Sequence, residues 1–307
     1  MMNLGDKKMK KFVGIMALCL FLTGSVAMAK PSHGGHHHDN PPPPPPPPPP
    51  VPVSSYVNSY QESFPDCDEH TLLINEMVTE YSDNTTTVNR LYSVVDNSGH
   101  SILMNATEVQ HLFKDYDHYF LAKINGSYLV IDSYGQQTSP DRYVTATPLE
   151  PDRIKVSKNL SFLKVGYGVI DYAGNEVIPV KYQSFKNGKF NNGVYITKMN
   201  GYWGLVSLDT GVLLRNEYDS IKGIHYAYKL KKQGRFGLAN YAGQVVLPTQ
   251  YDKVDDVGDF IAVKKNNYWA AYDAYGRSLT PFKYKKIKMD RNTLIGETDR
   301  GSEMIAK

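Results

Sequence analysis

The chain has 307 residues, with 34 Lys+Arg against 31 Asp+Glu and 2 cysteines. Four of the lysines and one aspartate fall within the first 29 residues, so residues 30–307 carry 30 charges of each sign. A zero balance excludes the basic footprint of a nucleic-acid binder. Beyond residue 29 only Cys67 remains, which excludes an intramolecular disulfide and leaves burial and strand pairing to hold the fold.

Lys7, Lys8, Lys10 and Lys11 form a basic start, and Phe12 to Leu22 is an apolar run. Small residues at Ala27 and Ala29 follow it. This is the grammar of a secretory signal peptide over residues 1–29, cut after Ala29. The run is shorter than the roughly 20 residues that a spanning helix needs, so no transmembrane helix is expected after cleavage. The protein is read as exported from a bacterial cell, to the periplasm, the surface or the medium.

Residues 30–53 cannot build a core. His33, His36, His37 and His38 lie among glycines, and the ten prolines Pro41 to Pro50 come next. Proline fixes φ and removes the amide donor, so this stretch is expected to be an extended polyproline II spacer, disordered in the folded-domain sense. The four histidines are candidate loose ligands for zinc, nickel or copper. A polar leader without any cofactor is the simpler reading.

The body is β-like, with 23 tyrosines and closely spaced glycine turns. Residues 54–90 are read as an N-terminal cap, in which Thr71–Tyr81 and Thr85–Val95 pair as a hairpin. Residues 91–307 are read as repeats, clearest at about 160–290. Gly201-Tyr202-Trp203-Gly204 is answered by Gly234-Arg235-Phe236-Gly237 and then by Asn267-Tyr268-Trp269-Ala270. A fainter copy is Gly166-Tyr167-Gly168. Each copy runs to a turn glycine (Gly174, Gly211, Gly243, Gly276) and then to a tyrosine (Tyr182, Tyr218, Tyr251, Tyr284). The interval from Gly168, Gly204, Gly237 or Ala270 to that tyrosine is 14 residues every time. The period of about 33–39 residues predicts an all-β tandem array of units, each roughly three short antiparallel strands. An open, curved stack is preferred to a closed β-propeller-like ring, because a propeller blade usually has four strands and roughly 40 or more residues.

These residues resemble the WG-repeat (KWG-repeat) proteins of bacteria, whose pattern is Gly-x-Trp-Gly, an apolar strand, a turn glycine, an apolar-Pro step and Tyr-Asp. Phe236 and Ala270 depart from that pattern, and Tyr182 and Tyr284 lack the aspartate. The resemblance implies a β-rich repeat scaffold, commonly exported, and no shared catalytic residue.

Trp203, Phe236 and Trp269 offer either a row of stacking platforms or the layer that packs one unit on the next; the second is the commoner use of a repeated aromatic. Cys67 stands in Asp66-Cys67-Asp68-Glu69-His70, with no second cluster in sequence to complete a zinc site, and reads as a lone thiol. His111 and His118, near Asp115 and Asp117, are the other crowding of titratable groups. No nucleophile elbow, P-loop, zinc-protease or dinucleotide motif occurs. The chain is therefore expected to be a non-catalytic binding module of the cell envelope, with a protein or an envelope polysaccharide as partner. The alternatives are a metal-handling accessory protein that uses the His-rich leader, and a glycan-active protein. Segregation of charge (16 acidic and 8 basic groups in residues 30–160, 9 and 14 in 201–290) is read as drift among solvated positions.

Overall fold

The computed structural model describes residues 44–65, 67–149, 152–190, 193–224 and 227–306. The expected signal peptide and His33, His36, His37 and His38 lie outside the described residues. The chain divides into two units, Met1–Pro49 and Pro50–Lys307. Of the first, Pro44 to Pro49 are exposed chain without secondary structure.

The second unit is all strand and turn among the described residues, arranged as seven antiparallel sheets in chain order. The first holds β1 (Pro52–Phe64), β2 (Cys67–Tyr81), β3 (Thr86–Asp96) and β4 (Ser101–Ala106). The second holds β5 (Glu108–Lys114), β6 (Asp117–Ile124) and β7 (Ser127–Asp132), and the third β8 (Thr145–Leu149), β9 (Arg153–Ser161), β10 (Lys164–Asp171) and β11 (Glu176–Tyr182). The fourth is β12 (Ser184–Asn187), β13 (Val194–Met199), β14 (Tyr202–Ser207) and β15 (Gly211–Tyr218). The fifth is β16 (Ser220–Gly223), β17 (Ala227–Lys232), β18 (Arg235–Asn240) and β19 (Val245–Tyr251). Last come β20 (Lys253–Val257), β21 (Phe260–Lys265) and β22 (Tyr268–Asp273), then β23 (Lys286–Asp290), β24 (Thr293–Thr298) and β25 (Gly301–Ala306). Every sheet is a meander of sequence neighbours.

The unit therefore extends to a fourth strand in four of the sheets. In the repeats this is a short opening strand such as Ser184–Asn187, where Phe185 alone is buried. The segment read as a cap shares the first sheet with the start of the stretch read as repeats, since β2 pairs β3 from His70↔Asp96 to Glu80↔Thr86 and β3 pairs β4 in the same sheet. Edge strand β1 starts at Pro52, inside the stretch read as spacer; an edge position tolerates the missing amide.

Middle strands bury both faces. Leu205 packs with Tyr228 and Leu230 of the fifth sheet, while its neighbour Val206 packs with Val169 and Ile178 of the third. This explains why the repeats read as short continuous apolar runs instead of strict alternation. Six clusters join sheet to sheet in order, one for each of the six successive pairs. Among the described residues no cluster joins the seventh sheet to the first, and no sheet closes into a barrel. The outermost strands β1 and β25 are largely exposed, as terminal units of an open array must be.

Candidate functional site

The repeated phrase builds the joints. Trp203 is paired across the sheet with Tyr218, Phe236 with Tyr251, Tyr167 with Tyr182, and Trp269 bridges Tyr284. In each pair the tyrosine is buried and the other aromatic half-buried against the cluster shared with the next sheet. Tyr284, for example, lies on Gly296 of β24, where a Cβ would come within 2.3 Å of its ring. Burial raises the phenol pKa of Tyr182 and Tyr218, and at Tyr284 burial acts together with a hydrogen bond to Glu303, so these groups stay neutral packing elements. The outer rims of Trp203, Phe236 and Trp269 carry lysines. Lys186 and Lys198 hold Nζ 5.1 and 5.3 Å from the Trp203 ring centre, Lys229 and Lys231 5.9 and 5.7 Å from Phe236, and Lys253 and Lys264 5.5 and 5.9 Å from Trp269. Rings used in this way pack and bind cations.

The glycine after the aromatic has a steric cause. A Cβ on Gly237 would lie 2.5 Å from the Leu247 carbonyl oxygen, one on Gly204 2.6 Å from that of Leu214, and one on Gly168 2.5 Å from that of Ile178. The returning strand bulges there and brings its backbone onto the glycine. Where the residue is Ala270, or Leu129 in the second sheet, the returning segment makes two isolated bridges and no ladder. The turn glycines Gly174, Gly211, Gly243 and Gly276 have φ between 77° and 86°. Gly276 also sits 2.9 Å, measured from its would-be Cβ, from Val246 of the preceding sheet, so it serves both the turn and the joint.

At the turn end of the fifth and sixth sheets lies a cavity of about 610 Å³. Tyr241 and Tyr275, 56% and 70% exposed, border it with Phe190, Asp259 and Arg277. The turns are rigid. Asn240 Oδ1 accepts from the Ala242 and Gln244 amides, and Asp273 Oδ1 accepts from those of Tyr275 and Arg277. Arg277 Nε donates to Asp273 Oδ2 at 2.6 Å. Burial pushes the Asp273 carboxyl up, but these hydrogen bonds outweigh it and hold the group below the usual carboxylate range. Tyr134 occupies the equivalent turn of the second sheet, 84% exposed beside a cavity of about 410 Å³.

The joint between the first and second sheets differs from the others. Cys67, read from sequence as a lone thiol, is 3% exposed, with Sγ 3.3 Å from His70 Nδ1. His118 of β6 faces them: Cys67, His70 and His118 each offer one ligand atom, and the three atoms lie within 4.8 Å of one another. His111 Nε2 is 2.8 Å from His118 Nδ1, and Glu69 Oε2 is 3.6 Å from His118 Nε2. Phe64 and Phe120 wall the cluster. Burial, followed by the nearby His118, lowers the His70 pKa and favours its neutral imidazole. Asp115 lies in the turn between β5 and β6, and Asp117 opens β6 and lines the same cavity as His118.

Residues 167–203 and 236–269 match the family model described as WG containing repeat. Over those two stretches the match agrees with the WG repeat read from the sequence. No curated protein matches the chain. Among solved structures, an "AfRom2 CNH domain" is similar at 12% identity and TM-score 0.25, over 83% of this chain and 95% of that one. The extracellular domain of the one-component system BT4673 from B. thetaiotaomicron is similar at 11% identity and TM-score 0.22, over 80% of this chain and 38% of that one. Kluyveromyces lactis Hsv2 is similar at 11% identity and TM-score 0.20, over 72% and 86%. No activity passes from these likenesses to this chain.

Proposed function

We propose that this protein is an exported, non-catalytic repeat module of the bacterial cell envelope that holds a polysaccharide chain along the turn end of its sheets, with the polyproline stretch as spacer. The observation that carries the reading is the groove between Tyr241 and Tyr275. Two exposed rings on rigid turns stack on sugar faces at little entropic cost, while Arg277 and Asp259 at the rim offer polar partners for hydroxyl groups. The WG-position rings are committed to joints and lysines, which moves binding to the turns. The leader with its basic, apolar and small-residue segments supports export.

The test is calorimetry of the full mature chain against purified envelope polysaccharides. The expected result is binding that falls at least about tenfold, or 1.4 kcal/mol, in a Tyr241→Ala/Tyr275→Ala variant with unchanged melting. Binding to none of them, or binding indifferent to the two tyrosines, overturns the glycan reading and leaves a protein partner.

A further inference from the structure

We propose that Cys67, His70 and His118 form a thiolate–imidazole site for a divalent transition metal of the zinc class, which staples the first sheet to the second. The donor set carries the chemistry. One sulfur and two imidazoles converge from β2 and β6, with their ligand atoms within 4.8 Å of one another. A tetrahedral zinc ion with Zn–S near 2.3 Å and Zn–N near 2.0–2.1 Å separates its ligand atoms by roughly 3.5 Å, so side-chain rotation closes the gap. Soft sulfur with imidazole selects zinc, copper or cobalt over magnesium and calcium. His111, 2.8 Å from His118, is placed to orient that ring or to supply the fourth ligand. His118 also borders the cavity of about 410 Å³ between the turns of the second and third sheets, which gives the ion an entry route. Binding replaces the Cys67 S–H bond by an S–metal bond and releases the proton to solvent.

The site shares no residue with the tyrosine groove or with the histidines of the leader, and the experiment must keep the leader silent. The full mature chain, in which Cys67 is the one thiol, with His33, His36, His37 and His38 changed to alanine, is titrated with zinc(II) and, for spectroscopy, with cobalt(II). The expected result is one equivalent of zinc, a sulfur-to-cobalt charge-transfer band in the near ultraviolet, and a melting temperature that rises with zinc and falls back with chelator. Cys67→Ser removes the band, and His118→Gln, at a partly exposed position, loses the equivalent. His111→Ala weakens zinc about 10- to 100-fold if it only orients His118. A chain with no sulfur-to-cobalt band, or zinc uptake that is unchanged in folded Cys67→Ser and His118→Gln, overturns the proposal and leaves the cluster as hydrogen-bonded core. Should a variant fail to fold, the unsubstituted site decides alone, through its stoichiometry, its band and its zinc-dependent melting.

Discussion

Gly237→Ala isolates the steric cause of the glycine in the WG phrase. The added methyl would meet the Leu247 carbonyl oxygen at 2.5 Å, Pro248 C at 2.8 Å and Thr249 N at 2.9 Å, all of them backbone. No side chain can turn away, so β19 must shift or leave. Overpacking of this kind costs about 1–3 kcal/mol, and the lower entropy of the unfolded alanine chain offsets about 0.4–1 kcal/mol. The net expectation is a loss of about 1–2 kcal/mol in urea unfolding. Hydrogen exchange should locate it at residues 245–251, whose ladder to β18 contains Phe236↔Tyr251, Leu238↔Leu247 and Ala239↔Val245. The sixth sheet already has the alanine, and there the returning segment keeps only the bridges Trp269↔Tyr284 and Tyr272↔Ser278. A change below about 0.5 kcal/mol, the range of an ordinary surface substitution, with protection unaltered at residues 245–251, would refute the backbone-contact argument.

Trp203→Ala should cost about 2–3 kcal/mol, below the roughly 3–5 kcal/mol of a fully buried large aromatic, because its rim faces Lys186 and Lys198; chemical denaturation measures it. Stability should fall on acidification below pH of about 4. Asp96 and Asp273 have pKa values depressed in the fold, so their contribution is present above the unfolded carboxylate pKa of roughly 3.9 and is lost as pH falls through the lower folded values. A melting-temperature profile from pH 6 to 3 checks this, and Asp273→Ala should flatten it. Cys67, at 3% exposure, should react with a disulfide reagent only as fast as the first joint opens, and a rate close to that of a free thiol would contradict its burial.

Much of the fold was legible because repetition amplifies weak signals. A single Gly-x-Trp-Gly means little, but a fixed interval to Tyr218, Tyr251 and Tyr284 encodes a cross-strand pair, and the structure has that pair in each copy. Strand β12 was not legible: it has four residues, one of them buried, and no periodicity to betray it. The Cys67 cluster was hidden for a different reason. Its members sit on two sheets, and nothing in the spacing of His70 and His118 says that a joint will bring their rings to 5.3 Å. The groove did leave a trace, in the exposed aromatic that precedes the turn glycine by one or two residues at Tyr134, Tyr241 and Tyr275. Exposed aromatics at drifting offsets carry less weight in a sequence than buried ones in strict register.

The series of six joints has a consequence for how the two proposed sites relate. The sulfur–imidazole cluster belongs to the first joint and the tyrosine groove to the fifth and sixth sheets. In a chain of units that touch only their neighbours, free energy added at one contact decays within a unit or two. A ligand at either end should thus leave affinity at the other unchanged. The architecture favours independent attachments on one backbone over allosteric signalling, and any copy between them is free to change its surface without disturbing either.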